Sequence, residues 1–263
     1  MTKFRPTRAH EDTHMQSYAI ETTGLTKRFG KRVVVDNLRL QVPRGSVYAF
    51  LGRNGAGKTT TIRLLLDQLR RNAGAATVLG YDSIKGSRDI RQLVGFVAQQ
   101  EDLYDWMTVD EILWFCRGFY PTWDQTLAAA MQAQLKLDGK TKIRAMSKGT
   151  QRQLALLLAL AFRPELLILD EPTAGLDVVV RRDFLESVIG LAQEEGRTIF
   201  SNIRKVWYSQ EVERRTQEQR TNRTGFNDCS RFSARGSYYV ISTPPASCTR
   251  HRRIARNRAR DRV

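Results

Sequence analysis

The sequence predicts an α/β fold: a parallel sheet at the core, an antiparallel β part before it, and a helical insert at about residues 102–155. Three observations carry this. Residues 47–51 are a short apolar strand that runs straight into a glycine-rich loop. Apolar residues Ile62, Leu64, Leu65, Leu66 and Leu69 then recur at helical spacing, as on a helix laid against a sheet. Residues 166–169 are wholly apolar, the texture of a parallel strand covered on both faces, and residues 198–201 read as the next such strand.

The remaining elements follow in order. Residues 1–17 are polar and read as a flexible N-terminus. Residues 18–21, 33–35 and 38–42 read as successive short strands, broken by Gly30, Pro43 and Gly45. A strand at 93–98 is followed by helical periods over 102–137, with Thr108 placed as a helix cap. The 151–162 segment is a helix that ends before Pro164. Past residue 201 no sustained periodicity returns until the run 238–241.

Composition sets outer bounds. With 263 residues and 41% hydrophobic content the chain can bury a real core. Its longest apolar run, residues 154–162, is about half the roughly 20 residues that cross a bilayer. Residues 1–20 lack the apolar stretch of a secretory signal. A protein that stays in the cytoplasm is expected. Cys116, Cys229 and Cys248 make no metal-ligand spacing with His10, His14 and His251, so they read as reduced thiols. The net charge of +16 is uneven: residues 201–263 hold 15 Lys and Arg against 5 Asp and Glu. That segment reads as solvated, or as drawn to nucleic acid by charge alone.

Gly52, Arg53, Asn54, Gly55, Ala56, Gly57, Lys58 and Thr59 fit the GxxxxGK[ST] pattern of a phosphate loop, which extends to Thr60. Glycines let successive backbone N–H groups point at one phosphate, and the positive end of the following helix dipole adds to them. Lys58 neutralises the terminal phosphates, and the Thr59 hydroxyl is a magnesium ligand. Such an ion also needs a carboxylate at the end of a neighbouring strand. Asp170 stands there, and Glu171 after it can orient or deprotonate an attacking water. The chemistry these residues suit is the binding and hydrolysis of ATP with Mg2+.

Met146, Ser147, Lys148, Gly149 and Thr150, just before the 151–162 helix, resemble the signature of ATP-binding cassette (ABC) proteins. Phosphate loop, signature and the run from Leu169 to Asp177 stand in that family's order. The resemblance covers residues 18–201; within it, residues 24–30, residues 120–124 and the Ser-Lys-Gly signature look like bacterial export cassettes with separate membrane subunits. It implies the P-loop NTPase fold of an ABC cassette, acting as the ATP-binding subunit of a transporter and peripheral to the inner face of the membrane. It implies two partners: a second cassette, identical or not, and a transmembrane permease subunit.

Further residues acquire roles through the resemblance. Phe29 matches the aromatic that stacks on adenine, although a turn or core phenylalanine also fits. Gln99, beside Gln100, matches the glutamine that touches magnesium and the attacking water. Ser147 and Gly149 match positions that cap the γ-phosphate of ATP held by the other protomer, and Ser147 is equally a good helix N-cap. Asp177 matches a loop that crosses to the second protomer. Trp106, Trp114, Phe115, Phe119, Tyr120 and Trp123 make the insert rich in aromatics, as a groove for the membrane subunit or as internal packing.

The likeness stops abruptly. The family's histidine after the 198–201 strand is missing, and no histidine stands between His14 and His251. Residues 202–263 are rich in Arg, Gln, Asn and Thr, so this tail reads as disordered, or as translated out of frame. Two alternatives to an active transporter subunit follow: a cassette impaired in hydrolysis, or a non-transport cassette protein using its basic tail on nucleic acid.

Overall fold

The computed structural model describes residues 18–52, 54–100, 103–172, 197–204, 231–235 and 238–242. Strand β1 (Tyr18–Phe29) turns at Gly30 and returns as β2 (Arg32–Pro43), antiparallel to it. The runs 33–35 and 38–42, read from sequence as two strands, are one. Between them Asn37 takes a left-handed conformation (φ 44°), at a bulge where the register against β1 shifts between Leu25–Leu38 and Lys27–Val35. Strand β4 (Ala73–Val78) joins the other edge of β1, and β5 (Tyr81–Asp82) extends it, completing a four-stranded antiparallel sheet in the order β2-β1-β4-β5. Neither β4 nor helix α2 (Ser87–Leu93) is legible in the sequence, because β4 opens on small residues without β signal and α2 is polar and largely exposed.

The second sheet begins with β3 (Val47–Gly52), which delivers the chain into the phosphate loop and helix α1 (Lys58–Leu65). That helix is one turn shorter than the apolar spacing to Leu69 suggests. Strands β6 (Val94–Val97), β7 (Leu166–Asp170) and β8 (Thr198–Arg204) pair in parallel with it in the order β6-β7-β8-β3. Strand β8 runs past Ser201 to Arg204, so Asn202, expected in the loop beyond this strand, is a buried strand residue. In the tail, β10 (Tyr238–Ser242) lies antiparallel on β3 and carries β9 (Arg231–Arg235) outside it.

Between β6 and β7 stands the helical part: α3 (Val109–Arg117), α4 (Gln125–Gln134), a 3-10 turn at Ile143–Ala145 and α5 (Lys148–Leu160). Thr108 caps α3 as the sequence requires, in a full capping box with Glu111. Side-chain alternation along the parallel strands divides the core into two layers. Leu166, Ile168 and Phe200 face α1 and the antiparallel sheet, while Leu167, Leu169 and Ile199 face α5 and the helical part. All five residues of β7 are buried, as its unbroken apolar texture demands. Among the described residues no helix is long and apolar enough to cross a membrane.

Candidate functional site: a phosphate-loop cleft

The site sits where β3 and β7 end. After Gly52 the chain turns through Gly55 (φ 78°) and Gly57 (φ 92°), left-handed conformations open to glycine at little cost, and Gly57 is the cap from which α1 starts. The exposed N–H groups of the first helical turn therefore face the cleft. Lys58 is buried and its ammonium donates to the Gly52 carbonyl at 2.8 Å, folded back over the loop it serves.

Strand alternation places the acidic partner. Asp170 follows Leu166 and Ile168 on the α1 face of β7, so its carboxylate meets the first turn of that helix, where Thr59 Oγ1 donates to Oδ1 at 3.1 Å. In register on β8, Asn202 donates through Nδ2 to the same Oδ1. Burial raises the Asp170 pKa above its ordinary value, against the two hydrogen bonds, and the nearby Glu171 charge pushes the same way. A neutralising cation is the natural complement of such a carboxylate. Thr59 and Asp170 offer hard oxygens on one side of an open cleft, donors that fit magnesium held mainly by phosphate and water. Asn202 Oδ1 is buried with no hydrogen-bond partner, a further oxygen in this polar cluster.

Glu171 leaves the strand with a left-handed backbone (φ 47°), its N–H bonded to the Asn202 carbonyl at 3.0 Å. This turn carries its carboxylate out to Gln99, whose Nε2 donates to Oε2 at 3.1 Å. Of the adjacent glutamines it is thus Gln99 that reaches the acidic pair, while Gln100 is exposed.

A cleft of about 410 Å3 joins these parts, lined by Asn54, Gly55, Gly57, Lys58, Thr59, Thr60, Gln99 and Glu171, and at its far end by Phe29, Arg32 and Val34. Phe29, at the β1–β2 turn, is 49% exposed, with the Lys27 ammonium 5.0 Å from its ring centroid. It is a surface aromatic at the mouth of the cleft and not a core residue. Ser147 and Gly149 do not line the cleft. Ser147 is exposed at the start of α5, where its Oγ accepts from the Thr150 N–H at 3.1 Å. Arg53 and Asp177 lie outside the described residues.

The aromatics of the insert divide between the two expectations. Phe115 and Trp123 pack on the core beneath α5, and Tyr120 stacks on Phe162 at 3.9 Å. Trp106, Trp114 and Phe119 are 60%, 75% and 57% exposed. One polar residue escaped the sequence reading: Arg152 is buried and its Nη2 donates to the Gln99 carbonyl at 2.6 Å. Its signal was a cation in phase with Ala155, Leu156 and Ala159 on the buried stripe of α5.

The sequence profile of the ABC transporter family matches residues 35–174. The chain is 36% identical over 186 residues to the bacitracin transport ATP-binding protein BcrA of Bacillus licheniformis, a match covering 70% of this chain and 61% of that protein. It is 31% identical over 207 residues to the ABC transporter ATP-binding protein YtrB of Bacillus subtilis, covering 79% and 68%. The Nod factor export ATP-binding protein I of Bradyrhizobium diazoefficiens is 36% identical over 71% of this chain and 62% of its own length. Among solved structures, an ATP-binding subunit of an ABC transporter superposes with a TM-score of 0.62 at 24% identity, over 70% of this chain and 79% of that one. A dimeric ATP-binding cassette with ADP and phosphate superposes with a TM-score of 0.62 at 21% identity, over 70% and 87%. These last two likenesses speak for the fold.

Proposed function

The chain belongs to the ABC transporter family as an ATP-binding subunit, and on that premise we propose that it binds and slowly hydrolyses Mg2+·ATP as one half of a cassette dimer driving an exporter. The observation that carries this is the convergence of Lys58, Thr59, Gln99 and Glu171 on one cleft, with Asp170 bonded to Thr59 behind it. In this reading the backbone N–H groups of residues 55–59 and the Lys58 ammonium cradle the phosphates. Magnesium, held by Thr59 and Asp170, supplies charge neutralisation on the phosphate oxygens when bound. Glu171 takes the proton of the attacking water, and Gln99 orients both. Phe29 offers its open edge of the cleft to the adenine.

Ser147 and Gly149 complete the site of a second cassette in this reading, since neither touches the cleft of its own chain. In this reading the exposed Trp106, Trp114 and Phe119 offer the helical part to a membrane subunit, with the protein at the inner face of the membrane. Export is the direction suggested by the Nod factor export relative. One observation favours slow turnover: the chain holds no histidine between His14 and His251, and Asn202 on β8 can donate a hydrogen bond but cannot carry a positive charge. Binding of a fluorescent ATP analogue with magnesium tests the site. Lys58→Ala should abolish it, and equal binding by both proteins would sink the assignment. Turnover of about 1 s⁻¹ or faster that Glu171→Gln stops would show that the missing histidine does not limit this chain.

A further inference from the structure

Helix α5 begins at Ser147 and buries a stripe that includes Leu154, Ala155, Leu156 and Leu157. At the N-terminal end of that stripe, where spacing calls for an apolar side chain, stands Arg152, 8% exposed. A guanidinium in such a place is retained only if it is hydrogen-bonded, because desolvation otherwise outweighs any packing gain. Its bond reaches across the fold to the Gln99 carbonyl at 2.6 Å, a donor–acceptor distance in the short range of charge-assisted bonds.

Gln99 lies just past the end of β6, in a segment that belongs to no helix or strand, so no ladder fixes its peptide. The same residue sends its side-chain amide to Glu171 at 3.1 Å. Two bonds in series therefore join α5 to the acidic pair: guanidinium to backbone carbonyl, then amide to carboxylate. Resting on the hydrolytic reading above, we propose that Arg152 is a positioning residue that fixes the Gln99 backbone and so ties the N-terminal half of α5 to the Gln99–Glu171 pair. Whatever moves the start of α5 moves the group that orients the water. The signature residues at that start and the water-handling residues are one mechanical unit, linked by a side chain that does not line the cleft.

Hydrogen–deuterium exchange on the full-length protein without nucleotide reads the link directly. In Arg152→Met, exchange at residues 98–100 should quicken by about tenfold, the scale of one lost charge-assisted bond in a local opening, while β6 and α5 stay within about twofold. Arg152→Lys, which keeps the charge but not the fork, should restore part of the protection. With Mg2+·ATP, Arg152→Met should lower kcat by about tenfold and leave KM and analogue affinity within about twofold, because a misplaced catalytic group costs rate and not binding. In a Gln99→Ala background the same substitution should change kcat by less than about twofold.

Unchanged exchange at 98–100, equal loosening of α5 and the loop, or an undiminished effect in the Gln99→Ala background would each overturn the proposal. Should Arg152→Met not fold, Arg152→Gln carries the same readings. The Lys58→Ala binding test fails separately if the nucleotide reading is at fault, since exchange in the nucleotide-free protein does not depend on it.

Discussion

Lys58, Thr59, Gln99 and Glu171, with Asp170 bonded to Thr59 behind them, come from three separate stretches of chain and meet at one cleft, whereas Ser147 and Gly149 do not line it. The two regions are built differently. On the cleft side the two carboxylates are held by other side chains: Asp170 by Thr59 and Asn202, Glu171 by Gln99. On the α5 side Ser147 is exposed, and its Oγ bonds only within the helix N-terminus, accepting from the Thr150 N–H at 3.1 Å and lying 2.9 Å from the Thr150 hydroxyl. A preorganised half beside a half that faces outward is what two copies would need to complete each other. The contrast fits the pairing of two cassettes proposed above.

The sharpest way to break that comparison is Glu171→Gln. If Glu171 handles the water, turnover should fall by about 10²- to 10³-fold, within the range for removing a general base, with analogue affinity unchanged. The same variant should accumulate a dimer at saturating Mg2+·ATP, because hydrolysis no longer resets it. Light scattering that finds only monomer would separate the two halves and leave the α5 side without a role at the nucleotide.

Ser147→Ala is expected to have a smaller effect, and it tests the outward half by itself. Losing the N-cap bond should cost about 1 kcal/mol of stability, which for a domain of this size lowers Tm by about 2–4 °C. If Ser147 also meets a partner's phosphate, the nucleotide-dependent dimer should weaken beyond what that stability loss explains. Ser147→Asn, which caps as well, should recover Tm but not the dimer. Recovery of both by asparagine would make Ser147 a helix cap and nothing more.

How much of this was legible in the sequence depends on where the signal lies along the chain. The phosphate loop, Asp170 and Glu171 were readable because local order sets them: strand, turn, helix, and an apolar run ending in two acids. Thr108 and Ser147 were readable as caps for the same reason. Asn202 was misplaced because Ser201 and Asn202 are polar, yet β8 continues through them, held by parallel pairing to β3 and β7 on both sides. Strand β4 was missed because its Ala73, Gly74 and Ala75 carry no β signal; only antiparallel pairing to β1 makes the segment a strand. There Gly74 approaches Gly24 so closely that a Cβ would collide with its carbonyl, a contact that spacing does not reveal. Arg152 was missed because its partner lies 53 residues away.

The smallest expected effect concerns Asp170 without nucleotide. Burial holds its pKa above the ordinary 3.8 in the folded chain, so between that value and the folded one the native state binds more protons than the unfolded state. Its contribution to stability is therefore fully present below pH 3.8 and is lost as pH rises through the folded pKa. Once ionised, the buried carboxylate is a liability that a cation would relieve. Asp170→Asn removes the charge and keeps an oxygen for Thr59 Oγ1. Without nucleotide, the variant should melt about 1–3 °C above the parent at pH 7, and the gap should close as pH falls towards 4. Saturating Mg2+·ATP should reverse the order, because ligand binding stabilises only the parent strongly. Melting curves at several pH values, with and without Mg2+·ATP, decide it. A parent that is more stable than Asp170→Asn at pH 7 without ligand would mean that Thr59 and Asn202 already stabilise the charged form, and the cleft side would then be complete before any ion arrives.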